Sequence, residues 1–203
     1  MNVLYEETSS FKVGAVLAET DTSLQVEAAH GKRSKIKAAS VLLRFEAPPL
    51  AELMGKAEAL ATEIDTDFLW QCCDADEFGF AELARDYCGH APNALEAAAI
   101  LVKLQSAPMY FYRKGKGRFR AAPADTLKAA LASVERKRMQ EEQIRSWADE
   151  LQRGVVPEAL QSILPQLLYQ PDRNRVETKA LEMACERSGL SAAKLFERAG
   201  AVP

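Results

Sequence analysis

Between Phe11 and Phe45 apolar and polar positions alternate in short runs: Lys12-Val-Gly-Ala-Val-Leu-Ala18, Leu24-Gln-Val-Glu-Ala28, Ser34-Lys-Ile-Lys-Ala38 and Val41-Leu-Leu-Arg-Phe45. Turn residues separate them at Glu19–Thr22 and His30–Arg33. A period of two with close turns predicts an antiparallel meander. The run Ala47-Pro-Pro-Leu50 stops it, because two successive prolines remove backbone donors. Beyond it the period changes. Leu50, Leu53, Met54, Ala57 and Leu60 recur at three- and four-residue spacing, the apolar stripe of a helix.

Three shorter helices are predicted next. Asp65 or Thr66 caps one that carries Phe68, Leu69, Cys72 and Cys73; Phe80–Tyr87 forms a second, stopped by Gly89; Asn93 caps a third that runs to about Gln105. In the second, Leu83 and Ala84 pack inward while Glu82 and Arg85 face solvent, as in the first arm of a helix-turn-helix. The stretch Met109–Ala121 then reads as strand, Lys114-Gly-Lys-Gly117 turn and returning strand, which is the place of a wing. From Ala124 to about Arg153 the pattern is one long or broken helix, with Leu127, Leu131, Val134, Ile144, Trp147 and Leu151 as apolar contacts. Val176–Arg187 and Ser191–Arg198 follow as short helices, each ended by a glycine.

These elements predict an α+β, mostly helical chain. Residues 1–47 make a small SH3-like β-barrel, 48–122 a winged helix-turn-helix domain, and 123–203 a helical tail. No apolar run approaches the roughly 20 residues of a membrane span. The start, Met1-Asn-Val-Leu-Tyr-Glu-Glu7, has neither a basic nor an apolar leader region, so a cytoplasmic protein is expected. The four cysteines, Cys72, Cys73, Cys88 and Cys185, read as buried or half-buried thiols in helices of a reducing compartment. Cys88-Gly-His90 lacks zinc-finger spacing, and no metal ligand set is predicted.

Charge adds what periodicity does not. The whole chain is mildly acidic at net −3, yet residues 103–122 carry 6 basic side chains and 0 acidic ones, while 48–102 carry 2 and 11. The cations are Lys103, Arg113, Lys114, Lys116, Arg118 and Arg120, interleaved with Tyr110, Phe111, Tyr112 and Phe119. Such a segment suits phosphate contacts, with Tyr110 and Tyr112 available to stack on unpaired bases and Phe111 and Phe119 packing the wing inward. Lys32, Arg33, Lys35 and Lys37 give the meander a second basic hairpin, equally suited to binding or to guarding a sheet edge. The third helix, Asn93-Ala-Leu-Glu-Ala-Ala-Ala-Ile-Leu-Val-Lys-Leu-Gln105, offers little that reads base edges. No Ser/His/Asp set, Gly-rich phosphate loop or metal cluster marks an active site.

Four phrases resemble the amino-terminal region of bacterial exoribonucleases of the ribonuclease II (RNB) family, in the branch that carries a winged helix where others carry cold-shock barrels. They are Ser9-Ser-Phe-Lys-Val-Gly-Ala-Val-Leu17, Met109-Tyr-Phe-Tyr-Arg-Lys-Gly-Lys-Gly-Arg-Phe-Arg-Ala-Ala-Pro123, Leu168-Tyr-Gln-Pro-Asp-Arg-Asn174 and Lys194-Leu-Phe-Glu-Arg-Ala-Gly-Ala-Val-Pro203. The resemblance implies a parent hydrolase that degrades RNA from its 3′ end, with magnesium held by clustered aspartates in a catalytic domain. Asp65, Asp67, Asp74, Asp76 and Glu77 are scattered around helix ends, so the catalytic domain is expected to lie outside this chain. Single-stranded RNA and that catalytic domain are the expected partners. A winged-helix transcriptional regulator and a protein-interaction module are the alternatives.

Overall fold

The first strand, β1 (Asn2–Glu7), is the strand on which the sheet is built. The computed structural model describes residues 1–74 and 76–202; Pro203, which ends the last of the phrases quoted above, lies outside them. β1 pairs antiparallel with β2 (Ser10–Glu19) on one side and β5 (Val41–Phe45) on the other. β3 (Ser23–Glu27) and β4 (Arg33–Lys37) extend the sheet, giving the order β4-β3-β2-β1-β5. A single 3-10 turn, Ala38–Ser40, connects β4 to β5.

β1 is buried on both faces. Val3 and Tyr5 pack with Leu24, Val26 and Ile36, whereas Leu4 joins Phe45 in a second core with residues of the helices. A strand covered on both sides has no reason to alternate, and Val3-Leu-Tyr5 is a continuous apolar run. The β1–β2 turn also hides itself. Thr8 and Ser9 sit at φ 50° and 63°, the doubly left-handed turn that normally selects Asn-Gly.

The helices follow in the order α1 (Leu53–Thr62), α2 (Thr66–Gln71), α3 (Phe80–Cys88) and α4 (Ala94–Ser106). Asp65 caps α2 by accepting from the Phe68 N–H at 3.1 Å, and Asn93 opens α4 with a complete capping box against Glu96. Gly89, at φ 75°, ends α3 in the left-handed conformation that glycine adopts freely. Before α3 the chain makes a short strand, β6 (Phe78–Gly79), which pairs with β8 (Arg118–Ala121); β8 in turn pairs with β7 (Phe111–Gly115). The periodicity predicts no strand at 78–79, because two residues carry no period. Leu53, Leu83, Leu101, Leu104, Phe111 and Phe119 pack with Leu4 and Phe45 into one core, so the five-stranded sheet and these helices share an interior.

The chain is α+β, about 50 % helical and 21 % strand, and it divides into two units, Met1–Lys128 and Ala129–Pro203. The long helix α5 (Ala124–Gln152) starts in the first and continues in the second. Leu127 and Leu151 are buried as expected, but Val134 is half exposed. It lies in the charged stretch 132–143, which is exposed on every side of the helix. In the second unit Ala148, Leu151, Leu160, Leu181, Leu195 and Phe196 form the core, with α6 (Glu158–Gln161), α7 (Leu164–Tyr169), α8 (Val176–Ser188) and α9 (Ala192–Arg198) around it. Among the described residues no helix is long and apolar enough to cross a membrane.

The left-handed turn yields a stability prediction. Replacing Thr8 by Asn and Ser9 by Gly removes backbone strain and gives up only the exposed bond from the Thr8 hydroxyl to the Glu7 carbonyl. Stability should rise by about 1 kcal/mol. A urea midpoint at or below that of the parent would contradict this.

Candidate nucleic-acid interface

The β7–β8 hairpin sorts its side chains by the register of the ladder. Phe111 and Phe119, each 2 % exposed, point into the core as expected. Tyr112 stands directly across from Arg120, and Arg113 across from Phe119. The register slips between Arg113 and Gly115, which leaves Lys114 in a bulge. The hairpin then turns through Gly117 at φ 69°, where an added Cβ would come within 3.1 Å of Leu42 and Phe80. Backbone freedom and close packing both require glycine there.

Three of the five hairpin cations are held by the protein itself. The Arg113 guanidinium donates to Glu6 Oε1 at 2.6 Å, and Glu6 is 2 % exposed. Lys116 Nζ donates to the Ser40 hydroxyl at 2.7 Å, which seats the turn on the β4–β5 connection. Arg118 Nε donates to Glu77 Oε1 at 2.6 Å, and that carboxylate holds the guanidinium pKa above its ordinary value. Tyr110, one of the two expected stackers, donates its hydroxyl to Asp67 Oδ1 at 2.8 Å. The bond to the carboxylate, ahead of burial, pushes the Tyr110 pKa up and keeps the phenol a donor. Two of the cations segregated along the chain, Arg113 and Arg118, are thus matched by carboxylates in space.

Tyr112, Lys114 and Arg120 make no side-chain hydrogen bond or ion pair among the described residues. Lys114 and Arg120 are exposed and Tyr112 is half-buried. Arg120 also borders an open cleft of about 460 Å³ with Trp70, Gln71, Cys73 and Asp74. Trp70 is fixed there by the bond from its Nε1 to the Ala122 carbonyl at 2.9 Å. An aromatic face, two unpaired guanidinium or ammonium groups and a neighbouring cleft are the elements of a single-strand contact.

Of the second basic group, Arg33 is paired across the ladder with Glu27 at 2.8 Å. Lys32, Lys35 and Lys37 are exposed, with Lys35 and Lys37 on one face of β4, an outer strand of the sheet. Lys37 lies three residues before Ser40, the acceptor of Lys116, so this row ends where the hairpin turn is seated. Lys103 is half-buried in the last turn of α4, where its charge suits the helix dipole.

The helix expected third in this region is α4, and its middle is enclosed. Ala97, Ala98, Ala99, Ile100 and Leu101 are all buried, five consecutive residues and therefore more than one turn. A turn so enclosed cannot reach base edges in a major groove, and exposure along α4 is confined to Gln105 and Ser106 at its end. All four cysteines are free and half-buried, and burial raises the pKa of each thiol, Cys73 to about 12. They are poor nucleophiles.

Compared with known protein families, with curated proteins and with solved structures, the chain gives no match.

The Glu6–Arg113 pair separates structural from available cations. Arg113→Met leaves a buried carboxylate unpaired and should cost about 2–4 kcal/mol, the range lowered because Arg113 is half exposed. Lys114→Met should stay within about 0.5 kcal/mol. Adding Glu6→Gln to Arg113→Met should recover more than half of the loss in urea unfolding. Equal stability of the two single variants would show that the pair does not hold the hairpin.

Proposed function

We propose that this chain is a sequence-independent RNA-binding module that guides single-stranded RNA by its phosphates. The observation that carries the reading is the split in the basic hairpin: Tyr112, Lys114 and Arg120 remain available while α4 is buried. Phosphate contacts supply affinity without sequence information, and a neighbouring aromatic supplies stacking. Burial of α4 disfavours the alternative of a DNA-binding regulator, which needs an exposed helix to read bases.

The finer fold assignments support this reading. The strand order β4-β3-β2-β1-β5, with one 3-10 turn before the last strand, suits an SH3-like unit. The succession β6, α3, α4, β7, β8, with β6 paired to β8, suits a winged helix whose wing is the basic hairpin. On this reading the module belongs to a ribonuclease II type exoribonuclease of the cytoplasm, and its magnesium-dependent chemistry resides in a catalytic domain outside these 203 residues. Lys35 and Lys37 extend the phosphate track from the wing along β4.

Charge reversal of Lys114 and Arg120 leaves the internal pairs of Arg113, Lys116 and Arg118 intact. The double variant should weaken binding of a labelled single-stranded oligoribonucleotide at least tenfold at low salt. If both cations meet phosphates, the slope of log affinity against log salt should fall by about 1.4, at about 0.7 per contact. Adding Tyr112→Ala should remove a further 1–3 kcal/mol, roughly the worth of one stacked base. Unchanged affinity and slope in fluorescence anisotropy would refute the reading.

A further inference from the structure

At the junction of α3 and α4, Cys88, His90 and Glu96 present one thiol, one imidazole nitrogen and one carboxylate oxygen within 4.8 Å of one another. Cys88 is the last residue of α3, His90 follows Gly89 in the connecting loop, and Glu96 stands in the first turn of α4. The chain spacing Cys-Gly-His supplies two of these groups, and the third comes from the next helix.

The two non-thiol groups are already oriented by backbone partners. His90 Nδ1 lies 3.0 Å from the Ala91 carbonyl; when Nδ1 donates there, the neutral ring presents its lone pair at Nε2. That Nε2 lies 3.4 Å from Glu96 Oε2. Glu96 is held from the other side, because its Oε1 accepts the Asn93 N–H at 3.1 Å as part of the α4 capping box. A backbone carbonyl on the far imidazole nitrogen and a hydrogen bond on the far carboxylate oxygen are the outer partners that orient metal ligands.

The spacing agrees with a cation between them. Ligand bonds of roughly 2.0–2.3 Å in a tetrahedral site place neighbouring ligand atoms about 3.3–3.8 Å apart. The Nε2–Oε2 separation is such an edge, and the thiol lies within 4.8 Å of both atoms. Cys88 and Glu96 also border a cleft of about 230 Å³, whose lining includes the Glu63 carboxylate with Leu60, Ile64 and Ile100. A fourth coordination position would open towards it.

We infer that Cys88, His90 and Glu96 form a three-ligand site for a borderline divalent cation of the zinc class, with water in the fourth position. Binding replaces the Cys88 S–H by a sulfur–metal bond and releases one proton to solvent; Glu96 and His90 contribute lone pairs, and nothing is oxidised or reduced. The cation would clamp the C-terminus of α3 to the N-terminus of α4, the turn that sets the angle between these helices. None of the hairpin residues takes part, so metal binding and RNA binding are lost by different substitutions.

The probe is Co2+ added to the metal-free full chain, followed by displacement with Zn2+. One equivalent per chain should give the visible bands of a tetrahedral site and a thiolate charge-transfer band, and Zn2+ should abolish both while raising the thermal unfolding midpoint. Cys88→Ser should remove the charge-transfer band. It and His90→Ala should each weaken Zn2+ binding at least about tenfold. The Cys72→Ser, Cys73→Ser double variant should keep the bands. Circular dichroism verifies that each variant is folded, and the exposed His90 supplies a substitution outside the core. Absence of the bands in the folded parent chain, or their survival in Cys88→Ser, would overturn the assignment.

Discussion

The hairpin is held to the sheet by a carboxylate that water cannot reach. Glu6 lies on β1, the strand covered on both faces, and its Oε1 receives the Arg113 guanidinium from the hairpin at 2.6 Å. Its other oxygen, Oε2, is buried without a hydrogen-bond partner among the described residues. A charge so placed is stable only while its counter-ion stays in position. The pair therefore specifies where β7 rests on the sheet, and Lys116 on Ser40 and Gly117 against Leu42 and Phe80 follow from that placement.

This constraint changes the meaning of the basic segment. A run of cations with no acidic neighbour in sequence suggests a surface made for a polyanion. In the fold, Arg113, Lys116 and Arg118 complete contacts that arrive from residues 6, 40 and 77. What remains outward is smaller and better defined, Tyr112, Lys114 and Arg120 with the row Lys35 and Lys37. Three of the five hairpin cations anchor the hairpin, and the remaining two stand on a backbone that this anchoring holds in place.

Legibility in the sequence followed the strength of the local signal. α3 and α4 were readable because Gly89 and the Asn93 cap mark their ends, and the hairpin because its glycines mark the connection, although Gly115 closes β7 and the turn is only Lys116-Gly117. β1 was not, since Val3-Leu-Tyr5 does not alternate and Thr8-Ser9 makes a left-handed turn without glycine or asparagine. β6 was too short to have a period. Val134 looked like a core position by spacing alone, but its neighbours are charged all round the helix. The hairpin cations were found by composition, yet their division into anchoring and available groups depends on partners 41 to 107 residues away. Glu96 was invisible as a companion of Cys88 and His90 because it already had a local reason to be there, as the cap of α4.

Two sets of side chains divide the hairpin, one that anchors it and one proposed to meet RNA. Amide and side-chain NMR of the labelled chain, titrated with a short single-stranded oligoribonucleotide, tests this division most directly. Signals of Tyr112, Lys114 and Arg120 should move with RNA and lose their shifts at high salt, while those of Glu6, Arg113 and Ser40 stay in place. Shifts centred on Glu6, Arg113 and Ser40, or on α4, or none at all, would contradict it.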